Sequence, residues 1–271
     1  MSENRKIANR PILWSILFYG IYGLLLVVIS QIEFPITISV PISEDHGFTQ
    51  FFTTQLGLAS LIELILNTPF IAIFFFLTYT AIEKLPDKSE IKYKTLFKLL
   101  IYVSLSITIL GVGIHFTANL FNTIKNQPVT PPDPTSVLIY WLDEIVGHFL
   151  IHIGIFIFYI LLMIREFHKE EPEMVSLEFK GFPIWGFLIG GGFGIAVAEG
   201  QCSKFFIIVF PITILTILLL KKFKYNFSFK NKRIIWFNIF FYIGNIVSII
   251  ILGIIASSLG YAFFVQPHLL F

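Results

Sequence analysis

The chain has 271 residues, of which 56% are hydrophobic and only 13% charged, with a formal net charge of +2. A soluble domain carries about 25% charged residues, so too few are present here to coat a globule of this size. The near-zero net charge gives no case for nucleic-acid binding, and the single cysteine, Cys202, excludes a disulfide framework or a thiolate metal cluster. What remains is an all-α integral membrane protein. About 20 consecutive apolar residues cross the hydrocarbon as helix, and such runs recur from end to end.

In chain order, the first run follows a short basic head containing Arg5, Lys6 and Arg10. Its core is longer than that of a secretory signal and no small-residue cleavage site follows, so it reads as a retained helix. We place seven transmembrane helices at 11–33, 52–83, 95–123, 136–164, 182–200, 203–221 and 234–264, all in one polytopic domain covering 1–271. The second region is long for one upright helix, which leaves room for an interfacial or re-entrant piece before Pro69. Six and eight spans are the alternative counts.

Charge placement favours seven. Of the 19 Lys and Arg residues, all but Lys125 and Lys204 fall in the head and in the second-to-third, fourth-to-fifth and sixth-to-seventh connections or at their span ends. Positive residues accumulate on the cytoplasmic side. The N-terminus is therefore expected in the cytoplasm and the C-terminus outside, in a multi-pass protein of the cell membrane.

Within spans this apolar, polar groups are informative, because an ionisable side chain in hydrocarbon is costly and faces the protein interior. In the third span Ser104, Thr108, Gly111, His115, Asn119 and Asn122 recur every three or four residues. At about 100° per residue they fall within an arc of roughly 80°. For Ser104 and Thr108 a helix-packing role is the preferred reading. His115 is read as functional, because the fourth span supplies matching groups.

Those groups are Glu144, His148 and His152, an i, i+4, i+8 series sharing a broad face with Tyr140 and Tyr159. Histidines at i and i+4 can ligate one metal from a single helix. Asp143 lies about 180° from His152 on a regular helix, so only a distortion would bring it to the same cluster. Glu144 is accordingly favoured over Asp143 as the site carboxylate. His115 and Glu144 share a depth roughly 10 Å below the outer surface, with His148 one turn deeper and His152 another turn deeper.

The fifth span carries Gly186, Gly190, Gly194 and Ala198 at intervals of four, a spacing that lets helices approach closely, and ends at Glu199. Close packing there would bring Glu199 to the mouth of the pocket. Gln55, Glu63 and Asn67 form a further outer-half stripe in the second span. Glu63 fits the part of ligand, general base or hydrogen-bonded packing residue equally well.

The sequence expectation is thus an intramembrane zinc-dependent hydrolase acting on a lipid or amphiphilic ester or amide. Its metal ligands would be His115, His148 and His152, and Glu144 and Glu199 would be its catalytic carboxylates. Zinc lowers the pKa of bound water to about 7, and a spare carboxylate moves the proton. The bilayer, and a lipid or amphiphilic substrate, are the expected partners. In architecture and ligand types the chain is similar to the alkaline ceramidase and adiponectin-receptor group, which also has seven spans, a cytoplasmic N-terminus, three histidines and an acid. There the histidine pair lies in the last span; here it lies in the fourth. Three alternatives stand beside the hydrolase. One is a transporter or proton relay using the same His and Glu side chains. Another is haem held by His115 with His148 or His152, for which only one axial pair exists. The third is a non-catalytic subunit of a membrane complex.

Overall fold

A computed structural model describes residues 2–24, 36–40, 52–56, 58–125, 134–200, 202–223 and 228–260, and of 23–24, 36–40, 52–56, 58–66, 119–125, 199 and 220–223 the backbone alone. The described chain is built from helices. In order they are α1 (Glu3–Leu24), α2 (Leu58–Glu83), α3 (Lys94–Lys125), α4 (Pro134–Tyr140), α5 (His148–Phe167), α6 (Ser176–Glu199), α7 (Ser203–Phe223) and α8 (Arg233–Ser258). A π-helical segment, Trp141–Gly147, joins α4 to α5, so 134–167 runs without interruption. Among the described residues, four stretches are long and apolar enough to cross a membrane: Lys94–Ala118, Pro134–Phe167, Ser176–Ala198 and Arg233–Ser258. Helix is the required solution there, since it pairs each backbone N–H and C=O within the segment.

One departure from the all-helical expectation is a short antiparallel pair, β1 (Ile36–Val40) with β2 (Phe52–Leu56), in the register Ile36 to Leu56 and Val40 to Phe52. The expected second span therefore begins as strand, and its helix starts at Leu58. Prolines 11, 69, 183 and 211 all sit inside helices. Such prolines are tolerated where neighbouring helices and hydroxyls compensate for lost backbone pairing. In α1 the Ser15 hydroxyl donates to the Pro11 carbonyl at 2.9 Å.

The tightest helix pair is α6 with α8, and its cause is legible in the sequence. Gly186, Gly190 and Gly194 lie against the backbone of Phe237, Phe241 and Asn245, which recur with the same spacing on α8. A Cβ on Gly190 would overlap the Phe241 carbonyl. The α3–α5 pair follows the same logic with a mixed face. Ser104 and Thr108 are fully buried and return their hydroxyl protons to the carbonyls of Ile101 and Ser104, at 2.7 and 2.9 Å. Gly154 and Gly111 then let the two backbones close on these side chains.

At the end where the basic residues gather, five helices are tied by buried charges. Arg233, wholly buried at the start of α8, donates to Asn9 of α1 (2.6 Å), the Pro172 carbonyl (2.6 Å), Glu178 of α6 (3.0 Å) and Glu171 (3.4 Å). The Glu166 carboxylate accepts from the first-turn amides of Ile234 and Ile235 at 2.7 and 2.9 Å. It thereby fills the positive N-terminus of α8. Lys232 reaches back to the carbonyls of Glu166 and Lys169, satisfying the last turn of α5. Arg165 grips Glu83 of α2 through two hydrogen bonds, 2.6 and 2.9 Å, and also reaches Asp87 at 2.7 Å. Partial burial works against charge on Asp87, but Lys169 and Arg165 outweigh it and hold its carboxyl below the usual range. With these partners in place, such a knot offsets charges that would otherwise be costly to bury.

Candidate functional site

The other end of the α3–α5 pair brings the histidines together. His115 comes from the second half of α3, and its backbone rests against Gly147, where any side chain would collide. That close approach aims His115 at the π segment. Its Nδ1 lies 2.6 Å from Oδ1 of Asp143, and the side chains are 22% and 2% exposed.

Asp143 is the residue that regular helical geometry excludes. The structure supplies the distortion. A π-helix bonds i to i+5 rather than i+4, so residues four and five apart share a face. Asp143 and Glu144, five and four residues before His148, both turn toward the histidines. Glu144 lies 3.7 Å from Nδ1 of His148, a looser contact than the one Asp143 makes with His115. The carboxylate that touches His115 is therefore Asp143, and the sequence preference for Glu144 misses it because it assumes an unbroken 3.6-residue period. Single π turns inside α-helices concentrate at functional sites.

The three imidazoles form a line into the protein. His115 and His148 have ring centroids 4.5 Å apart, and His148 and His152 5.9 Å. His152 is the deepest, packed edge-on against Phe193 and Phe206 at 4.9 and 6.2 Å, with Nε2 3.3 Å from the Ala196 carbonyl of α6. The Nδ1 atoms of His148 and His152 are buried and have no hydrogen-bond partner among the described residues. The end of α6 closes one side, with the Gly200 backbone directly against the His148 ring.

Glu199, the neighbour of Gly200, ends α6, and its side chain lies outside the described residues, as do those of Glu63, Asn119 and Asn122. Asn67 is buried. So His115, His148 and His152 come together, with Asp143 and Glu144 beside them. Among the described residues, no three His, Cys, Asp or Glu side chains already converge with metal-ligand spacing. The arrangement offers neighbouring imidazoles, one with a carboxylate 2.6 Å from its Nδ1, and buried ring nitrogens on the other two. That equipment suits metal capture or proton transfer.

The sequence reading also leaves unrecognised the role of Arg165, Glu166, Lys169, Lys232 and Arg233, which it treats only as topological charge. The available signal was the opposite-sign neighbours Arg165-Glu166 and the acids Glu171 and Glu178 beside them. Compared with known proteins, the chain matches no family model, no curated protein and no solved structure.

Proposed function

We propose that the chain crosses the cell membrane seven times, N-terminus in the cytoplasm and C-terminus outside. We further propose that its histidine cluster binds zinc and hydrolyses a lipid or other amphiphilic ester or amide. The observation that carries this reading is the 2.6 Å contact between buried Asp143 and His115, with His148 stacked beside it. A carboxylate on one ring nitrogen fixes the tautomer of a metal-ligating histidine and directs the other nitrogen at the ion. Two imidazoles sharing a tetrahedral zinc at Zn–N about 2.0–2.1 Å hold their ring centroids about 5 Å apart. The observed 4.5 and 5.9 Å bracket that value. The buried Nδ1 atoms of His148 and His152, which have no hydrogen-bond partner among the described residues, supply ligand atoms. Rotation of the rings about χ2 is then needed to bring the nitrogens to one point.

In this reading His115, His148 and His152 hold the metal, and Asp143 positions His115. Glu144, 21% exposed beside His148, carries protons to and from the reacting group. Glu199 is assigned the same task at the mouth, supported by the packing of the adjacent Gly200 on His148. Bound zinc would supply a hydroxide at neutral pH. The site's position inside the apolar rods suits a substrate that arrives through the bilayer.

Elemental analysis of detergent-purified protein tests the reading. Near-stoichiometric zinc is expected, and His148→Ala should lose it while keeping its melting temperature; a folded variant with undiminished metal would sink the ligand assignment. Topology has its own test. In a Cys202→Ser background, Ser2→Cys should be labelled by a membrane-impermeant maleimide only from the cytoplasmic face, and Ser257→Cys only from the outside. Labelling of both from one face would refute an odd span count.

A second reading has its own support, because no three ligands converge among the described residues. The Asp143–His115–His148 chain is also a sequence of proton-holding groups leading inward, as a relay or proton-coupled transporter requires. Metal-free protein that acidifies liposomes under a potential, and ceases to do so as His115→Ala, would favour it over the hydrolase.

A further inference from the structure

On the opposite half of the molecule, α2 and α3 part to leave a cleft of about 720 Å³ open at the molecular surface. Its floor is apolar, formed by Phe75 and Phe76 of α2 and by Ile101 and Leu105 of α3. Its rim is basic. Lys94 and Lys98, in the first turns of α3, line the cleft and are exposed, and among the described residues neither has an ion-pair partner. The acid on the rim, Glu83, is already held by Arg165 through both oxygens and does not neutralise them. Tyr102 stands beside Lys98, whose Nζ lies 5.8 Å from its ring centre.

The order of these groups along α3 matches the order of groups in a phospholipid. Lys94 and Lys98 stand where the helix meets the charged end of the molecule, and Leu105 lies two turns, about 10 Å, deeper. A tyrosine at that level suits the headgroup boundary, where aromatic rings with a polar tip concentrate. Lysine ammoniums bind phosphate as point charges, and basic pockets between membrane helices on the cytoplasmic side take anionic headgroups. A soluble phosphate would use the rim but leave the apolar floor unexplained.

We propose that the α2–α3 cleft is a binding site for an anionic phospholipid of the leaflet on the basic side, its phosphate between Lys94 and Lys98 and an acyl chain along Phe76, Ile101 and Leu105. The site rests on the membrane-spanning reading and is independent of the histidine cluster. It gives the chain a lipid preference in one leaflet.

Native mass spectrometry of the full chain in detergent, titrated with phosphatidylglycerol or phosphatidylcholine, reads the site directly. One phosphatidylglycerol should bind in preference to phosphatidylcholine. Lys94→Gln with Lys98→Gln should weaken it by roughly ten- to thirtyfold, and Lys94→Arg with Lys98→Arg should restore it. Lys6→Gln with Lys180→Gln, the same loss of charge at exposed positions of the same end, should leave it unchanged. Leu105→Trp, which fills the floor and spares the lysines, should also reduce binding, and this arm stands even if the double glutamine variant fails to fold. Equal loss in the Lys6/Lys180 control, unaltered binding in the Lys94/Lys98 variant, or displacement of the lipid by equimolar inorganic phosphate would each overturn the site. A chain that stays soluble without detergent or bilayer would overturn the spanning reading itself, a result separable from failure of the lipid to bind.

Discussion

His115 and Asp143 illustrate how a buried acid changes the meaning of a histidine. Alone on a packing face, an imidazole at that depth is a polar group seeking a partner. With Asp143 2.6 Å from Nδ1, it has a carboxylate at contact distance on one side of the ring. The contribution of the carboxylate is measurable apart from the fold, because Asp143→Asn keeps the volume and removes the charge. On the proposed zinc reading, metal affinity should fall by about ten- to a hundredfold, the usual effect of losing a carboxylate that supports a metal-ligating histidine. Isothermal titration with zinc checks it, with circular dichroism as the control for helix content. Unchanged affinity would assign Asp143 to packing alone.

Among the elements, α6 and the π segment do the positioning. The glycine row on α6 brings its backbone onto α8, and the end of the same helix seats Ala196 and Gly200 against His152 and His148. Gly190→Val places a branched side chain where a single Cβ already overlaps Phe241. It should destabilise by about 1–3 kcal/mol or more, as overpacking does. Thermal melting in detergent will show a lowered midpoint, whereas Gly192→Val, at a position with open space around it, should change little. The glycine row was legible because its spacing of four needs no knowledge of the partner. The π segment was not. Nothing in Trp141–Gly147 breaks a helix, since it holds no proline, and its one glycine is at the end. Its wider turn is selected by the fit of Gly147 and Asp143 around His115, a contact between residues of different helices.

At the scale of the whole molecule, the two ends differ in kind. One end is an ionic knot joining α1, α2, α5, α6 and α8; the other holds the histidines. The knot gives the bundle its fixed frame. Arg233→Met keeps bulk but leaves Glu171 and Glu178, whose side chains are 2% and 10% exposed, without their cationic partner. Removing one partner from a buried pair costs about 3–5 kcal/mol. Expression and melting temperature should therefore fall sharply. Pairing Arg233→Met with Glu171→Gln and Glu178→Gln should recover part of the loss; no recovery would mean that Arg233 acts through its contacts with Asn9 and Pro172 instead.

By itself the sequence determined that the chain is rich in apolar helices and which helix faces are small or polar, whereas the first helix starts at Glu3 rather than at 11 and the second expected span opens as strand. Those properties follow from composition and period along one segment, and hydrocarbon leaves the backbone no alternative to helix. Only the tertiary structure decided that Asp143 meets His115, that Arg233 and Glu166 are buried, and that α2 and α3 leave a cleft between basic rim and apolar floor. Each depends on the phase and separation of two helices, set by contacts between residues far apart in the chain that no single segment encodes.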